Sequence, residues 1–120
     1  MVRDDLKKKL LEFRRERDWE KFHRPKDLAV SLVIEASELL EHFQWKTDEE
    51  VAGMLKGKSA EGVAEEIADI AIYLTYLCHD LGFDIGEIVA AKLDRNRKKY
   101  PARRVRGSAR KYNEYSNNGR

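Results

Sequence analysis

Residues 31–43 read SLVIEASELLEHF and residues 60–81 read AEGVAEEIADIAIYLTYLCHDL; each sets a line of acids beside apolar residues at helical spacing. In the second stretch Val63, Ile67, Ile70, Leu74, Leu77 and Leu81 recur at intervals of three and four, which predicts a long helix with one core-facing stripe. Glu66, Asp69, Tyr73, Tyr76 and Asp80 form a second stripe next to it. In the first stretch the core stripe is Leu28, Leu32, Ala36, Leu39 or Leu40, and Phe43, with Ser31, Glu35, Glu38 and His42 beside it. Positions three apart on a helix differ by about 60° of rotation and about 4.5 Å of rise. Both acids of Glu35-x-x-Glu38, and both of Glu66-x-x-Asp69, therefore face one way.

Working outward, Asp4 or Asp5 is expected to cap a first helix carrying Leu6, Leu10 and Phe13, with a surface dense in Lys and Arg. Pro25 disfavours helical geometry at Arg24, so the chain breaks across Trp19–Pro25, and Pro25 suits the first turn of the next helix. Thr47-Asp48-Glu49-Glu50 reads as a capping box opening a short helix to about Leu55. Ser59 is expected to cap the long helix and Gly82 to stop it. Asp84-x-x-Glu87 opens a last helix that ends before Pro101. No strand-like alternation and no solenoid repeat is present. The fold class expected is all-α, a four-helix bundle with a short additional helix, over residues 1–101. Residues 102–120 read as a flexible basic tail.

With 120 residues and 14.0 kDa the chain is long enough for one modest core. The formal net charge is only +2, yet Glu35 to Asp69 holds 10 acids against 3 bases, and Arg95 to Arg120 holds 10 bases against 1 acid. Cys78 is the single cysteine, so no intrachain disulfide or thiol metal site can form. The N-terminal MVRDDLKKKL lacks a signal-like apolar core and no run approaches a membrane span. The expectation is a cytoplasmic protein with no membrane partner.

One Glu-x-x-Glu is ordinary solvated helix charge. Two acidic pairs, each flanking the core stripe of its own long helix, are different, because four facing carboxylates repel unless protonated or neutralised by cations. All-oxygen donors suit Mg²⁺ or Mn²⁺. A ferritin-like di-iron site would want Glu-x-x-His; the fourth positions here are Glu38 and Asp69, with His42 keeping that reading open. Carboxylate-held Mg²⁺ recruits phosphate, and no Walker-type glycine loop is present to do so instead. The residues alone point to metal-dependent phosphate chemistry. The alternative is a non-catalytic helical binding protein that uses its basic tail on nucleic acid; without an established aromatic platform, nucleic acid is not the expected partner.

The context of the acids resembles the MazG-like all-α nucleotide pyrophosphohydrolases, most closely their dCTP pyrophosphatase-like branch. Four segments carry the resemblance: Arg17-Asp18-Trp19-Glu20-Lys21-Phe22-His23, Glu38-Leu39-Leu40-Glu41-His42-Phe43-Gln44-Trp45, Glu65 to Leu74, and Lys92 to Pro101. The two acidic pairs stand with 27 residues between Glu38 and Glu66. The resemblance implies hydrolysis of a nucleoside triphosphate, dCTP or a modified dCTP, to monophosphate and pyrophosphate. Glu35, Glu38, Glu66 and Asp69 would be catalytic and hold Mg²⁺. Trp19, His23, Trp45 and Tyr73 would contact the nucleotide, and Lys92 and Asn96 its phosphates or sugar. It further implies a homo-oligomer, dimer or tetramer.

Overall fold

The computed structural model describes residues 1–107, and every regular element among them is helical. Two units divide the chain, Met1–Gly82 and a second beginning at Phe83. The first holds α1 (Asp4–Glu16), a 3-10 turn over Glu20–Phe22, α2 (Pro25–Phe43), α3 (Asp48–Leu55) and α4 (Ser59–Leu81). None of the described helices is long and apolar enough to cross a membrane.

Local chemistry sets most of the boundaries. Pro25 opens α2, where its missing N–H would be unpaired in any case, and Arg24 before it is extended at ψ 153. The Glu50 N–H donates to Thr47 Oγ1 at 3.2 Å while the Thr47 N–H donates to Glu50 Oε1 at 3.3 Å, closing the capping box of α3. Gly82 ends α4 at φ 73, where a β-carbon would cost about 1–2 kcal/mol. Two expected caps are corrected. Arg3, not Asp4 or Asp5, is the N-cap of α1; the two acids lie in its first turn, where the positive helix end attracts them. Ser59 is the first residue of α4 rather than its cap, because the Gly57 and Lys58 carbonyls already accept from the Ala60 and Glu61 N–H groups at 3.1 and 3.0 Å.

α4 is the hub of this unit: α2 packs along it and α1 and α3 also touch it. Leu28, 1% exposed, is buried with Val63, Tyr76 and Cys78. Burying one leucine stabilises by about 2 kcal/mol, so this is a small core. The predicted stripe of α4 is covered only in part. Val63 is buried, Ile70, Leu74 and Leu77 are half-buried, and Ile67 is 53% exposed. Leu40 and Leu81 are also exposed. Meanwhile Tyr76, placed by its spacing beside the core, is among the most buried residues. Periodicity assigns a face; it does not say how much of that face the neighbouring helices of one chain reach.

The second unit holds α5 (Ile85–Lys99) and α6 (Ala102–Val105). Asp84 accepts the Glu87 N–H at 3.0 Å, as its sequence position predicts. Arg97, Lys98 and Lys99 fill the last turn of α5, favourable against its negative end. α6 is a single helical turn inside the stretch expected to be a flexible tail; residues 108–120 of that tail lie outside the described residues.

Candidate functional site

Because α2 runs along α4, the acids that flank their stripes meet. Carboxylate oxygens of Glu35, Glu38 and Glu66 lie within 4.8 Å of one another. Glu35 Oε2 and Glu66 Oε2 are buried with no hydrogen-bond partner. The Glu66 carboxylate, burial, and the Glu38 carboxylate together push Glu35 up to about 7, since ionising all three at this range is unfavourable. Asp69, the fourth acid expected from the sequence, falls outside the group of three. It is half-buried one turn beyond Glu66 and acts on Glu35 through space.

An all-carboxylate donor set with two orphaned buried oxygens fits a hard divalent cation, which would neutralise the repulsion and satisfy both oxygens. A cleft of about 540 Å³ opens beside it, with Glu38 and Glu66 among its lining and Glu41, His42, Lys46 and Ser59 completing its polar wall. The His42 imidazole sits against Gly62, where an added β-carbon would come within 2.9 Å of His42 Cε1. Lys46 and Ser59 are cleft residues that the sequence did not assign to the site, Ser59 being read only as a helix cap; they lie past the end of α2 and at the start of α4, outside the two acidic stripes.

The expected nucleotide contacts are distributed unevenly. His23 and Tyr73 come together, ring centroids 6.3 Å apart and edge to face, with Tyr73 one turn past Asp69. Burial and the nearby Arg14 cation lower the His23 pKa, against an opposing pull from Asp80. Trp19 and Phe13 pack edge to face, ring centroids 5.7 Å apart. Trp45 stands 91% exposed just past α2, its backbone in the left-handed region at φ 67. Lys92, exposed, and Asn96, half-buried, lie on α5 in the second unit.

Arg14 is a correction to the reading of α1 as a Lys- and Arg-rich surface helix. Its guanidinium is buried and donates from Nη1 and Nη2 to Asp80 Oδ2 and Oδ1, both at 2.8 Å. That partner is 66 residues away, so no local pattern announces it.

Comparison with known proteins shows what the chain is similar to. The profile of the MazG-like family matches residues 30–115. The dCTP pyrophosphatase 1 proteins of Bos taurus and Homo sapiens are each 42% identical over 112 residues, 92% of this chain. The chain spans 66% of the length of these curated relatives. A pyrophosphatase from Archaeoglobus fulgidus, known from its crystal structure, superposes with a TM-score of 0.77 at 44% identity, covering 82% of this chain and 91% of that one.

Proposed function

Since the chain belongs to the MazG-like family, we propose that it hydrolyses a nucleoside triphosphate between the α and β phosphates, releasing monophosphate and pyrophosphate. The relatives named dCTP pyrophosphatase make dCTP and 5-modified dCTP the first substrates. The observation that carries the proposal is the convergence of Glu35, Glu38 and Glu66 within 4.8 Å, two of them with buried, unpaired oxygens.

Glu35, Glu38 and Glu66 hold a divalent cation, Mg²⁺ or Mn²⁺, with Asp69 as the fourth acid at its edge. When bound, such an ion polarises phosphate oxygens and acidifies water. The protein's own part is positional. Lys46 supplies positive charge and Ser59 a donor toward the phosphates in the cleft. Tyr73, a turn along α4 from the acids, and His23 beside it flank the nucleoside, and Trp45 offers an exposed indole for stacking. With Glu35 protonated to about pH 7 in the free protein, cation binding and loss of that proton are linked.

The working species is a homo-oligomer, dimer or tetramer. A chain that leaves Val33 at 64% exposure, and Val30, Ile34, Leu40 and Ile67 exposed with it, keeps an apolar face open along α2 and α4. Free nucleotide as substrate accords with the cytoplasm as its compartment. The test is a panel of ribo- and deoxynucleoside triphosphates with Mg²⁺. Pyrophosphate release that chelation abolishes is expected; no release from any member overturns the proposal.

A further inference from the structure

Among the described residues Arg14 is the one charged side chain that is buried, at 3% exposure. A guanidinium so placed is costly unless paired, and an apolar pair of equal volume would hold two helices together as well. What the ion pair adds is direction. The planar fork of Arg14 meets both Asp80 oxygens at 2.8 Å, which fixes one register of α1 on α4. The same guanidinium lies 4.6 Å over the Tyr76 ring, and the Tyr76 hydroxyl donates back to the Leu10 carbonyl of α1 at 2.8 Å.

Everything fixed this way leads to one segment. The Arg14 carbonyl accepts the Trp19 N–H at 3.1 Å, after a reversal that takes Asp18 to φ 54. His23 sets its ring 5.4 Å from Tyr76, tilted by 35°, and stands edge to face with Tyr73. Between Trp19 and His23 the chain has only a 3-10 turn of three residues, too short to orient itself. Two buried nitrogens are left without partners, Arg14 Nε and His23 Nδ1, one on the device and one on the residue it holds.

We propose that the Arg14–Asp80 pair, with its guanidinium buried, is the positioning device for the nucleotide-recognition segment Trp19–His23, fixing Trp19 through the Arg14 backbone and His23 through Tyr76. Arg14 and Asp80 are positioning residues that touch no substrate, and the inference rests on the reading of Trp19 and His23 as nucleotide contacts.

The test replaces the pair by apolar residues, Arg14→Met with Asp80→Leu. Helical circular dichroism and Tm near those of the wild type are expected, while the His23 imidazole NMR signals shift away from the Tyr76 ring-current position. KM for the best nucleotide rises about tenfold and kcat falls by less than about threefold, the signature of lost binding orientation rather than lost chemistry. Arg14→Lys keeps the charge, removes the fork, and gives the same split more weakly; it decides the matter by itself if the double variant does not fold. Unmoved His23 signals with KM unchanged in a folded variant overturn the device. The NMR measurement needs no nucleotide, so a wild type that releases no pyrophosphate overturns the enzyme reading instead, and the two failures are distinct.

Discussion

Glu35 on α2 and Glu66 on α4 face one another with one carboxylate oxygen each buried and unpaired, and Glu66 is the largest influence holding the Glu35 proton on to about pH 7. Unfolded, the same glutamate releases its proton near 4.5. Between those values the native state binds more protons than the unfolded chain, so stability is full below about 4.5 and is lost as pH rises through about 7. The metal-free protein is therefore expected to melt at a lower temperature at pH 8 than at pH 5. Glu35→Gln should raise Tm at pH 8 by about 4 °C and leave pH 5 nearly unchanged. Thermal melts after chelation, at both pH values, check this.

The acids should not be equivalent. Glu66 contributes an oxygen to the group of three, whereas Asp69 acts from outside it. Removing an inner ligand costs more than removing a charge at the edge; outer partners of metal sites typically contribute about 10- to 100-fold in affinity. Glu66→Gln is expected to lower Mn²⁺ affinity more than about 100-fold and Asp69→Asn about tenfold, both retaining the helical signal. Calorimetric titration of Mn²⁺ into each variant measures the order, and equal losses would contradict it.

A groove of about 370 Å³ between Val30, Val33 and Ile34 runs along the open side of α2. A charge there stays solvated in a lone chain and is desolvated in an assembly. Val33→Glu should reduce the mass seen by light scattering while leaving helicity intact. The oligomer surviving at the same mass would place the interface elsewhere.

Gly62 tests the wall of the cleft. Alanine gains about 1 kcal/mol of helix propensity over glycine, but its β-carbon would stand 2.9 Å from His42 Cε1. The clashing atom is the far end of a side chain, and turning it costs about 0.5–1.5 kcal/mol. The two terms nearly cancel, so Gly62→Ala should keep Tm within about 3 °C. Nucleotide KM should rise severalfold because the imidazole is driven into the cleft. A large drop in Tm would mean that His42 cannot turn.

How much of this was legible follows the range of each interaction. The Thr47 box, the Asp84 cap, the Pro25 start and the Gly82 stop are decided within four residues and stand where the sequence puts them. The convergence of Glu35, Glu38 and Glu66 was readable too, because two helices with acids beside their core stripes must bring those acids near each other. The exposure of Ile67 was not, since period three-to-four marks an apolar face without saying whether the same chain covers it. Nor was Arg14 with Asp80: a lone arginine on a basic helix looks solvated until the fold supplies a carboxylate from 66 positions away. Sequence spacing treats Asp69 and Glu66 alike; in the structure Glu66 joins the group of three carboxylates and Asp69 lies outside it.

Trp45 joins two unfavourable features in one residue: a left-handed backbone at φ 67 and an indole 91% exposed. A non-glycine residue in that region costs about 1–2 kcal/mol, and among the described residues little packing offsets it for a side chain 91% exposed. Glycine at this position removes the backbone strain while adding about 0.5–1 kcal/mol of unfolded-state entropy. Trp45→Gly is therefore expected to melt no lower than the wild type, judged on the isolated fold under conditions where both are monomeric. Loss of this exposed indole, one residue before the cleft residue Lys46, should nevertheless raise nucleotide KM by about tenfold, the worth of one base–aromatic stack. A variant that gains or keeps stability and loses binding is the pattern of a residue held against the interest of the fold for a ligand. Trp45→Gly melting well below the wild type, with KM unaltered, would make the indole a packing residue instead.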